Sequence, residues 1–342
     1  MKPASILARA APVLAAALLL PTLLVAGCAD RDGAGSAGPT VLTQEHATAP
    51  PFLAAMIDAP ERVAHGGLRR IEVHLKVDGL PTSLIYDERV TADGNGRYLI
   101  EPVAVSAPSM SLPQREVFEE LQRARQGFFF KYRDPRIRDV ERFLENYALH
   151  VVAEPAVVAG VECVEIEIAP RRGTLRSYRL SVDASTGLVL RALERDATGT
   201  VVATTTFLEF TRDPALEGVA FHVERFPGHP LEALAVLPGP PPAAPQVLPA
   251  GYREVTSDVV DLAGTSYLRR VYTDGFEHLF FLERRPAAAA PGALQAESTN
   301  VTVRIAEVGA FRVAEALRSG GSLFVVGKIA EADVLAVLRS AL

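Results

Sequence analysis

The apolar and polar positions of residues 175–210 alternate in a way that predicts three short strands joined by two tight turns. A period of two gives a strand one buried and one solvated face, and the first strand shows this period at Tyr178, Leu180 and Val182. The segments 183–187 and 195–199 contain the Asp and Gly residues that tight turns favour. Such a meander predicts one wall of a curved sheet, and it favours a binding protein over an enzyme.

Similar alternation predicts further strands on both sides of this meander. Six of them cover residues 71–77, 83–91, 97–105, 149–152, 161–168 and 219–225. Towards the C-terminus, six more cover residues 252–260, 266–273, 276–283, 301–306, 311–314 and 322–327. The segment 311–318 also fits a helix. The sequences Asp93-Gly94-Asn95-Gly96 and Asp274-Gly275 are hairpin signals, so we predict antiparallel sheets and an α+β fold that is mostly β.

Helical periodicity appears at residues 52–56, 114–125, 137–147 and 331–342. An aromatic run lies between the second and third of these segments. Its side chains either pack in a core or line an apolar cavity, because a curved sheet closed by helices leaves a space that aromatic residues can line. The candidate cavity residues are Val117, Leu121, Phe128, Phe130 and Tyr132.

The N-terminus has the pattern of a secretory signal. Lys2 and Arg9 precede an apolar run, 10–25, that ends in small residues before Cys28. Small residues followed at once by Cys resemble the bacterial lipobox, which implies that Cys28 is acylated and becomes the new N-terminus. The alternative is an ordinary signal peptide with an incidental Cys. In lipoprotein sorting, Asp directly after the Cys retains a protein in the inner membrane. Here Asp30 comes one place later, which favours the outer membrane.

The chain has 342 residues, enough for roughly two domains of about 150 residues each. We predict a lipoprotein signal peptide at 1–27 and a flexible tether at 28–51, which is rich in small residues. A first domain at 52–226 then leads to a Pro-rich linker at 227–250 of the stiff, extended kind. A second, smaller domain follows at 251–342.

Composition argues against several functional classes. The net charge is −6, and residues 1–27 carry Lys2 and Arg9 but no acid, so the mature chain is near −8. Nucleic acid is therefore an unsuitable partner, because binding phosphates requires a basic surface. If Cys28 is acylated, Cys163 has no disulfide partner. Catalytic motifs and metal-ligand spacings do not occur. We therefore expect no enzyme, no catalytic residues, no metal and no cofactor; a hydrolase in the mouth of a barrel is the alternative.

The meander also carries a family resemblance. Together with the early hairpins and the helical middle, it resembles the LolA-like fold shared by lipoprotein carriers and the N-terminal domain of MucB/RseB sigma-factor regulators. The matching pieces are Ala159-Gly160, Tyr178-Arg179-Leu180, Val182-Asp183, Thr186-Gly187-Leu188, Leu190-Arg191 and Gly199. The family's Arg after Ala-Gly and its Pro after Leu are missing here. The C-terminal part resembles the small second domain of MucB/RseB at Leu248-Pro249-Ala250-Gly251-Tyr252, at Tyr272-Thr273-Asp274-Gly275-Phe276 and at Val325-Val326-Gly327-Lys328-Ile329.

This resemblance covers most of residues 52–342 and implies both a fold and a function. The fold is a half-open LolA-like barrel with helices in its mouth, followed by a small α+β domain. The function is binding of the periplasmic part of an anti-sigma factor, which is thereby shielded from proteolysis, and sensing of lipid or lipoprotein acyl chains in a hydrophobic cavity. One departure is the lipobox, because those regulators are mainly soluble in the periplasm. The alternative is a LolB-like lipoprotein or lipid acceptor, although LolB-like proteins lack the second domain.

Overall fold

The computed structural model describes residues 53–77, 80–106, 133–221, 243–262, 265–284, 301–308, 310–318 and 321–342. Within these ranges the chain forms an eight-stranded and a six-stranded sheet, both antiparallel, together with three helices. No helix in the described part is long and apolar enough to cross a membrane. The predicted fold class, α+β and mostly antiparallel β, is confirmed, and neither described sheet closes on itself.

The first sheet has the strand order β3-β2-β1-β8-β7-β6-β5-β4. Its strands are β1 (Ala64–Val77), β2 (Leu80–Asp93), β3 (Tyr98–Ser106), β4 (Tyr147–Val158), β5 (Val161–Pro170), β6 (Ser177–Asp183), β7 (Val189–Arg195) and β8 (Val201–Thr211). Helix α1 (Leu53–Arg62) precedes β1, and helix α2 (Val140–Asn146) precedes β4. Because β1 pairs with β8, the early hairpins and the later meander form one continuous sheet.

The strands predicted within 71–105 and 149–210 are confirmed, and most of them are longer than predicted. β1 begins at Ala64, because its inward-facing positions continue through His65 and Arg69, which are buried although polar. An apolar pattern does not mark such residues. The predicted strand 219–225 is not present over its described residues, 219–221.

The helix predicted at 137–147 is shorter than expected. Asp139 caps its N-terminus, because a side-chain oxygen accepts a hydrogen bond from the backbone N–H of Arg142 at 3.0 Å. At the other end Tyr147 is extended, with φ −128° and ψ 151°, and begins β4. Tyr147 has helical spacing in the sequence, but it is a strand residue. Its aromatic ring is buried and packs in the core.

The second sheet has the order β12-β13-β14-β11-β10-β9. Its strands are β9 (Arg253–Leu262), β10 (Thr265–Thr273), β11 (His278–Arg284), β12 (Thr302–Val308), β13 (Phe311–Arg318) and β14 (Gly321–Gly327), and helix α3 (Glu331–Ser340) follows them. The helical alternative for 311–318 is wrong, since β13 pairs with β12 on one side and β14 on the other. The described end of the Pro-rich segment, 243–250, lies against this sheet, with Ala243 N–H bonded to Glu283 at 2.8 Å.

The turn between β6 and β7 shows why Asp and Gly residues in the sequence indicate a tight turn. The Asp183 carboxylate accepts hydrogen bonds from Ser185, Thr186 and Arg212. Burial alone would raise the pKa of Asp183, but the Arg212 guanidinium and these hydroxyl and amide donors outweigh it and hold the pKa well below its usual range. Gly187 has φ +82°, and a Cβ there would lie 2.6 Å from the backbone of Ala55. The turn therefore docks against α1, and only glycine fits.

The largest hydrophobic core joins the two sheets. From the first sheet it includes the buried side chains of Ile166, Ile168, Tyr178, Leu180 and Ala192. From β10, β11, the turn between them and α3 it includes Tyr272, Phe276, Leu279, Phe281, Val334 and Leu338. The strands of the two sheets lie within the predicted domains 52–226 and 251–342. The boundaries stay a prediction, but the two units share one core.

This shared core predicts a large effect of truncating Phe276, whose ring is buried between the two sheets. Phe276→Ala is expected to lower the free energy of unfolding by about 3–5 kcal/mol, because buried Phe→Ala changes lose both transfer energy and packing. Urea denaturation followed by circular dichroism measures the change. Val255→Ala, at a side chain that is 59% exposed in the same sheet, is the matched control, expected to stay within about 0.5 kcal/mol. Equal midpoints for Phe276→Ala and the control would contradict a shared core.

Candidate functional site

One face of the first sheet, here called the inner face, carries the groups of greatest functional interest. Cross-strand partners share a face of a sheet, so the register defines it: Tyr86 pairs with Ile71, which pairs with Thr205, and Ala192 pairs with both Thr205 and Leu180. The inner face is thus continuous across five strands, from β2 to β6. Buried polar clusters lie on it at two places.

The first cluster, here called the arginine cluster, comprises Arg69, Glu88, Arg133 and Asp134. Arg69 Nε donates to Glu88 Oε1 at 2.5 Å, and its Nη1 donates to Asp134 Oδ2 at 2.7 Å. Arg133 donates to both oxygens of Glu88, at 3.1 and 2.6 Å, and to Asp134 Oδ1 at 3.0 Å. A further Arg133 bond reaches the Tyr86 hydroxyl at 3.2 Å. Two cations and two anions balance, which is how buried charges are tolerated.

Electrostatics keep this cluster ionised although it is buried. Burial by itself would raise the pKa of the Glu88 carboxyl, but the guanidinium groups of Arg133 and Arg69 outweigh burial and lower it. The same balance, with Arg69 foremost among the cations, lowers the pKa of Asp134. The ion pairs of this cluster therefore join β1, β2 and the segment that leads to α2.

A small cleft opens beside the arginine cluster, with a volume of about 50 Å³. Its walls come from α1, β1, the turn before β7, β7, β8 and the residues after Arg133. They are Pro60, His65, Arg69, Asp134, Pro135, Arg136, Leu188, Val189, Leu190, Ala192, Thr205, Phe207 and Phe210. The rings of Phe207 and Phe210 meet edge to face at 5.4 Å. The Arg69 guanidinium lies 5.9 Å from the Phe207 ring centre. A cavity of this size holds a few water molecules or one short side chain.

His65 is one of the titratable residues that line this cleft. Its Nδ1 lies 2.8 Å from the Val63 carbonyl oxygen. A carbonyl only accepts, so the neutral ring carries its proton on Nδ1 and leaves Nε2 as an acceptor. Burial lowers the pKa of His65, opposed by the Val63 carbonyl and assisted by the positive charge of Arg69. The imidazole is therefore neutral at pH 7.

The second of the two places on the inner face is where the turn between β10 and β11, residues 274–277, packs against it. The ring of Phe276 lies between those of Phe143, Tyr147 and Tyr178, at centroid distances of 5.5, 5.9 and 4.7 Å. The neighbouring Gly275 has φ +99°, and a Cβ there would lie 2.3 Å from the backbone of Phe143. Close packing of aromatic rings, at distances that favour tilted contacts, thus fixes the second sheet to the first.

Hydrogen bonds surround this aromatic contact. The Tyr147 hydroxyl donates to Asp274 Oδ2 at 2.7 Å, and the Tyr178 hydroxyl donates to Glu277 Oε1 at 2.9 Å. Asn146 Nδ2 donates to the Asp274 carbonyl at 2.9 Å. These polar groups are buried, where an unpaired group would be costly, so each bond also specifies how the two sheets meet.

Lys328, directly after β14, connects the arginine cluster to the buried polar groups around the turn after β10. Its side chain is fully buried, and its Nζ donates to Glu194 Oε1 and Glu277 Oε1, both at 3.1 Å, and to the Arg133 carbonyl at 2.5 Å. Glu194 is held on its other oxygen by Arg176 at 2.9 Å. We call Arg176, Glu194, Glu277 and Lys328 the lysine cluster. It contains two cations and two carboxyl groups, and it reaches the arginine cluster through the Arg133 carbonyl.

The roles of the predicted site residues stay predictions. Cys28 and the candidate cavity residues Val117, Leu121, Phe128, Phe130 and Tyr132 lie outside the described residues. Within the described part of the chain, no group of three His, Cys, Asp or Glu side chains is placed to hold a metal ion. Cys163 is buried, and burial together with the nearby Asp183 charge raises the pKa of its thiol to about 11. His74 lies on the exposed face of β1.

The clusters were missed because charged residues are normally expected on the solvated face. A signal for one of them exists in the sequence. Arg69 has the same parity along β1 as Ile71 and Val73, so the alternation places it on the inner face. No comparable signal marks Lys328, because its partners Glu194 and Glu277 lie in distant parts of the chain.

The chain is similar to a known protein family and to solved structures. Residues 110–224 match the family described as MucB/RseB N-terminal domain. The complex structure of Pseudomonas aeruginosa MucA/MucB is 17% identical with a TM-score of 0.50, covering 85% of this chain and 96% of that chain. A crystal structure of MucB in complex with MucA(peri) is 16% identical with a TM-score of 0.50, covering 84% and 96%. No curated protein sequence matches. Residues 1–226 are about two thirds of the 342, whereas the likeness to MucA/MucB covers 85% of the chain. The likeness therefore extends beyond residue 226 into the second sheet, and the fold is MucB/RseB-like.

The lysine cluster predicts a pH-dependent contribution to stability. Burial raises the pKa of Glu277 to about 7, opposed by Lys328 and assisted by the charge of Glu194. The folded protein then holds a proton that the unfolded chain releases near its ordinary value of 4.5. This contribution is fully present below about pH 4.5 and is lost as the pH rises through about 7.

Glu277→Gln is expected to remove this loss. Urea midpoints at about pH 5 and about pH 7.5 measure it, with Glu209→Gln on an exposed residue of β8 as the control. The free energy of unfolding of the unaltered protein and of the control should decline more over this interval than that of Glu277→Gln. Identical declines in all three proteins would show that Glu277 is ionised throughout.

Proposed function

We propose that this MucB/RseB-like protein is a lipid-anchored regulator on the periplasmic side of the cell envelope, where it binds the periplasmic part of an anti-sigma factor. The observation that carries the proposal is the likeness to MucB across both sheets, at 85% of this chain and 96% of the other. Both of those structures hold MucB together with MucA. The anti-sigma factor is proposed here as the corresponding partner, which the protein shields from proteolysis.

The described architecture supports a binding role. Two sheets joined by one hydrophobic core and by the lysine cluster form a pre-organised body, and pre-organisation lowers the entropic cost of association. In the part of the chain that the structure describes, the buried charged groups of the arginine and lysine clusters form ion pairs between elements of the fold. A non-catalytic role agrees with the MucB/RseB likeness.

Sensing of lipid or lipoprotein acyl chains is the finer part of the proposal. Its support is the sequence of the segment before Arg133, where Val117, Leu121, Phe128, Phe130 and Tyr132 provide apolar side chains for a cavity. A LolB-like acceptor role is less favoured, since proteins of that kind lack the second domain that here packs into the first sheet.

Binding to the anti-sigma factor is the first test. The mature protein is titrated with the purified periplasmic domain of an anti-sigma factor from the same organism, and isothermal titration calorimetry is expected to give a Kd of about 1 μM or tighter. The periplasmic domain of an unrelated single-span membrane protein of similar charge is the control. A pull-down of the tethered protein from envelope extract, with mass spectrometry of proteins and lipids, then identifies the native partner. No binding to any anti-sigma factor of the organism would refute the proposed function.

Lipid anchoring is tested separately at Cys28. Cells fed an alkyne-labelled fatty acid are expected to label the unaltered protein and to leave Cys28→Ala unlabelled, because the thiol is the acyl acceptor. Multiple acyl chains anchor a protein stably, so the unaltered protein should sediment with membranes, and outer-membrane fractions are expected. Cys163→Ala is the matched control and should still label. Labelling or membrane attachment that survives Cys28→Ala would count against the anchor.

A further inference from the structure

Strand β4 is an edge of the first sheet, since among the described strands it pairs with β5 only. Residues of an antiparallel pair alternately exchange hydrogen bonds with the opposite strand and point their N–H and C=O groups away from it. Asn146 stands opposite Arg171 at the start of this register, and the Arg171 N–H donates to the Asn146 carbonyl at 2.7 Å. Residues 148, 150 and 152 share the phase of Asn146 and therefore bond to β5.

The backbone of Tyr147 agrees with this phase. Its N–H donates to the Phe143 carbonyl of α2, and its C=O accepts from the Arg171 side chain at 2.9 Å. Its partner across the register is Pro170, which has no N–H to donate. Tyr147 thus directs both backbone groups away from β5, and so do the next residues of the same phase.

These next residues are Leu149 and Val151, whose N–H and C=O groups point to the open side of β4. Among the described residues, none is bonded to these groups. Edge strands are usually protected by Pro, by Lys or by a bulge. A bulge at 153–155 ends the straight part of β4, but residues 147–152 contain neither Pro nor Lys. This first half of β4 can therefore accept another strand.

The apolar side chains at this edge define one face of the added strand. Ile168 and Ile166 of β5 stand opposite Leu149 and Val151 and are buried. Leu149 packs against the large core, but Val151 is 52% exposed. The core thus ends at Val151. An apolar residue on an added strand would cover this side chain, and removing apolar surface from water is favourable.

The charge of the β4–β5 hairpin defines the other face of the added strand. Residues 147–170 contain four glutamates and no Lys, Arg or Asp. Two of the four are paired with Arg179 and Arg191 of the neighbouring strands, and Glu154 and Glu162 are exposed. Opposite charges on neighbouring strands attract each other, so basic side chains suit an added strand.

We propose that the first half of β4 binds an extended segment of a partner protein as an additional antiparallel strand. The segment is about six residues long, and its backbone groups bond to those of Leu149 and Val151. Its apolar side chains cover Val151, and the side chains that alternate with them are basic. Main-chain bonds supply the affinity of such a strand, and its alternate side chains supply the specificity. The site does not depend on the proposed function, because its chemistry is that of β4 and β5 alone.

A peptide of alternating valine and lysine, capped at both ends, is the probe. Hydrogen exchange of the mature protein, followed by NMR, reads the site directly. With the peptide, the amide protons of Leu149 and Val151 are expected to exchange at least about 10-fold more slowly, because they gain acceptors. The amide proton of Val157, in the same strand beyond the bulge, is the internal control and should not change. No protection of Leu149 and Val151 at about 1 mM peptide would overturn the site.

Methylation of the peptide nitrogens separates strand addition from attraction between charges. The valines opposite Leu149 and Val151 direct their N–H groups at β4, whereas the lysines direct theirs away. Methylated valine nitrogens are expected to weaken binding at least about 10-fold, and methylated lysine nitrogens far less. A peptide with glutamate in place of lysine should also bind more weakly. Equal affinity of the two methylated peptides would show that the peptide does not bind as a strand.

Val151→Lys tests the position of the site, because it places a charge where the added strand needs an apolar contact. It is expected to weaken the peptide at least about 10-fold. Val157→Lys is the matched control, since it adds the same charge at a side chain that is 67% exposed in the same strand. It should bind the peptide as the unaltered protein does. Equal binding by both variants would rule out the first half of β4.

Sedimentation tests whether a second copy of the chain occupies the edge instead. The unaltered protein and Val151→Lys are expected to sediment alike. If the unaltered protein is larger and Val151→Lys is a monomer, the occupant is the β4 strand of a second copy, and the assignment to a partner protein is wrong.

Discussion

The insertion of the turn after β10, together with Lys328, into the inner face of the first sheet is the contact on which the rest of this structure depends. Phe276 places one ring among three aromatic rings of the first sheet and α2. Lys328 supplies the cation for the buried carboxyl group of Glu277 and shares that of Glu194 with Arg176. The apolar contact supplies most of the driving force, and the charged and hydroxyl groups around it specify one mutual arrangement of the sheets.

This contact also links the cleft to the second sheet. Lys328 holds the backbone carbonyl of Arg133, and the Arg133 side chain positions Glu88 and Asp134. Those carboxylates hold Arg69, which lines the cleft. A change at either place is therefore connected to the other by a short chain of hydrogen bonds and ion pairs. Such rigidity holds the groups that line the cleft in a fixed geometry.

Much of the fold was predictable, because alternation and turn chemistry act locally. Tyr178, Leu180 and Val182 are buried on one face of β6, and the Asp183 turn ends in a positive-φ glycine. Local rules did not predict that Tyr147 belongs to β4 rather than to a helix, because its partner in the sheet, Pro170 of β5, lies outside the local pattern. They also did not predict the lysine cluster, since Lys328 and Glu194 are 134 residues apart and neither is marked by its neighbours. The candidate cavity residues stay a prediction.

The central claim is that the two sheets form one cooperative body. Native-state hydrogen exchange of the mature protein tests it most directly, because it reports the free energy of opening for each strand separately. Buried amides of β6 around Leu180 and of β11 around Leu279 should open with free energies within about 1 kcal/mol of each other, and Lys328→Met should lower both together. If β11 opens at a clearly lower free energy while β6 stays protected, and Lys328→Met affects β11 alone, the two sheets are independent domains and the account is contradicted.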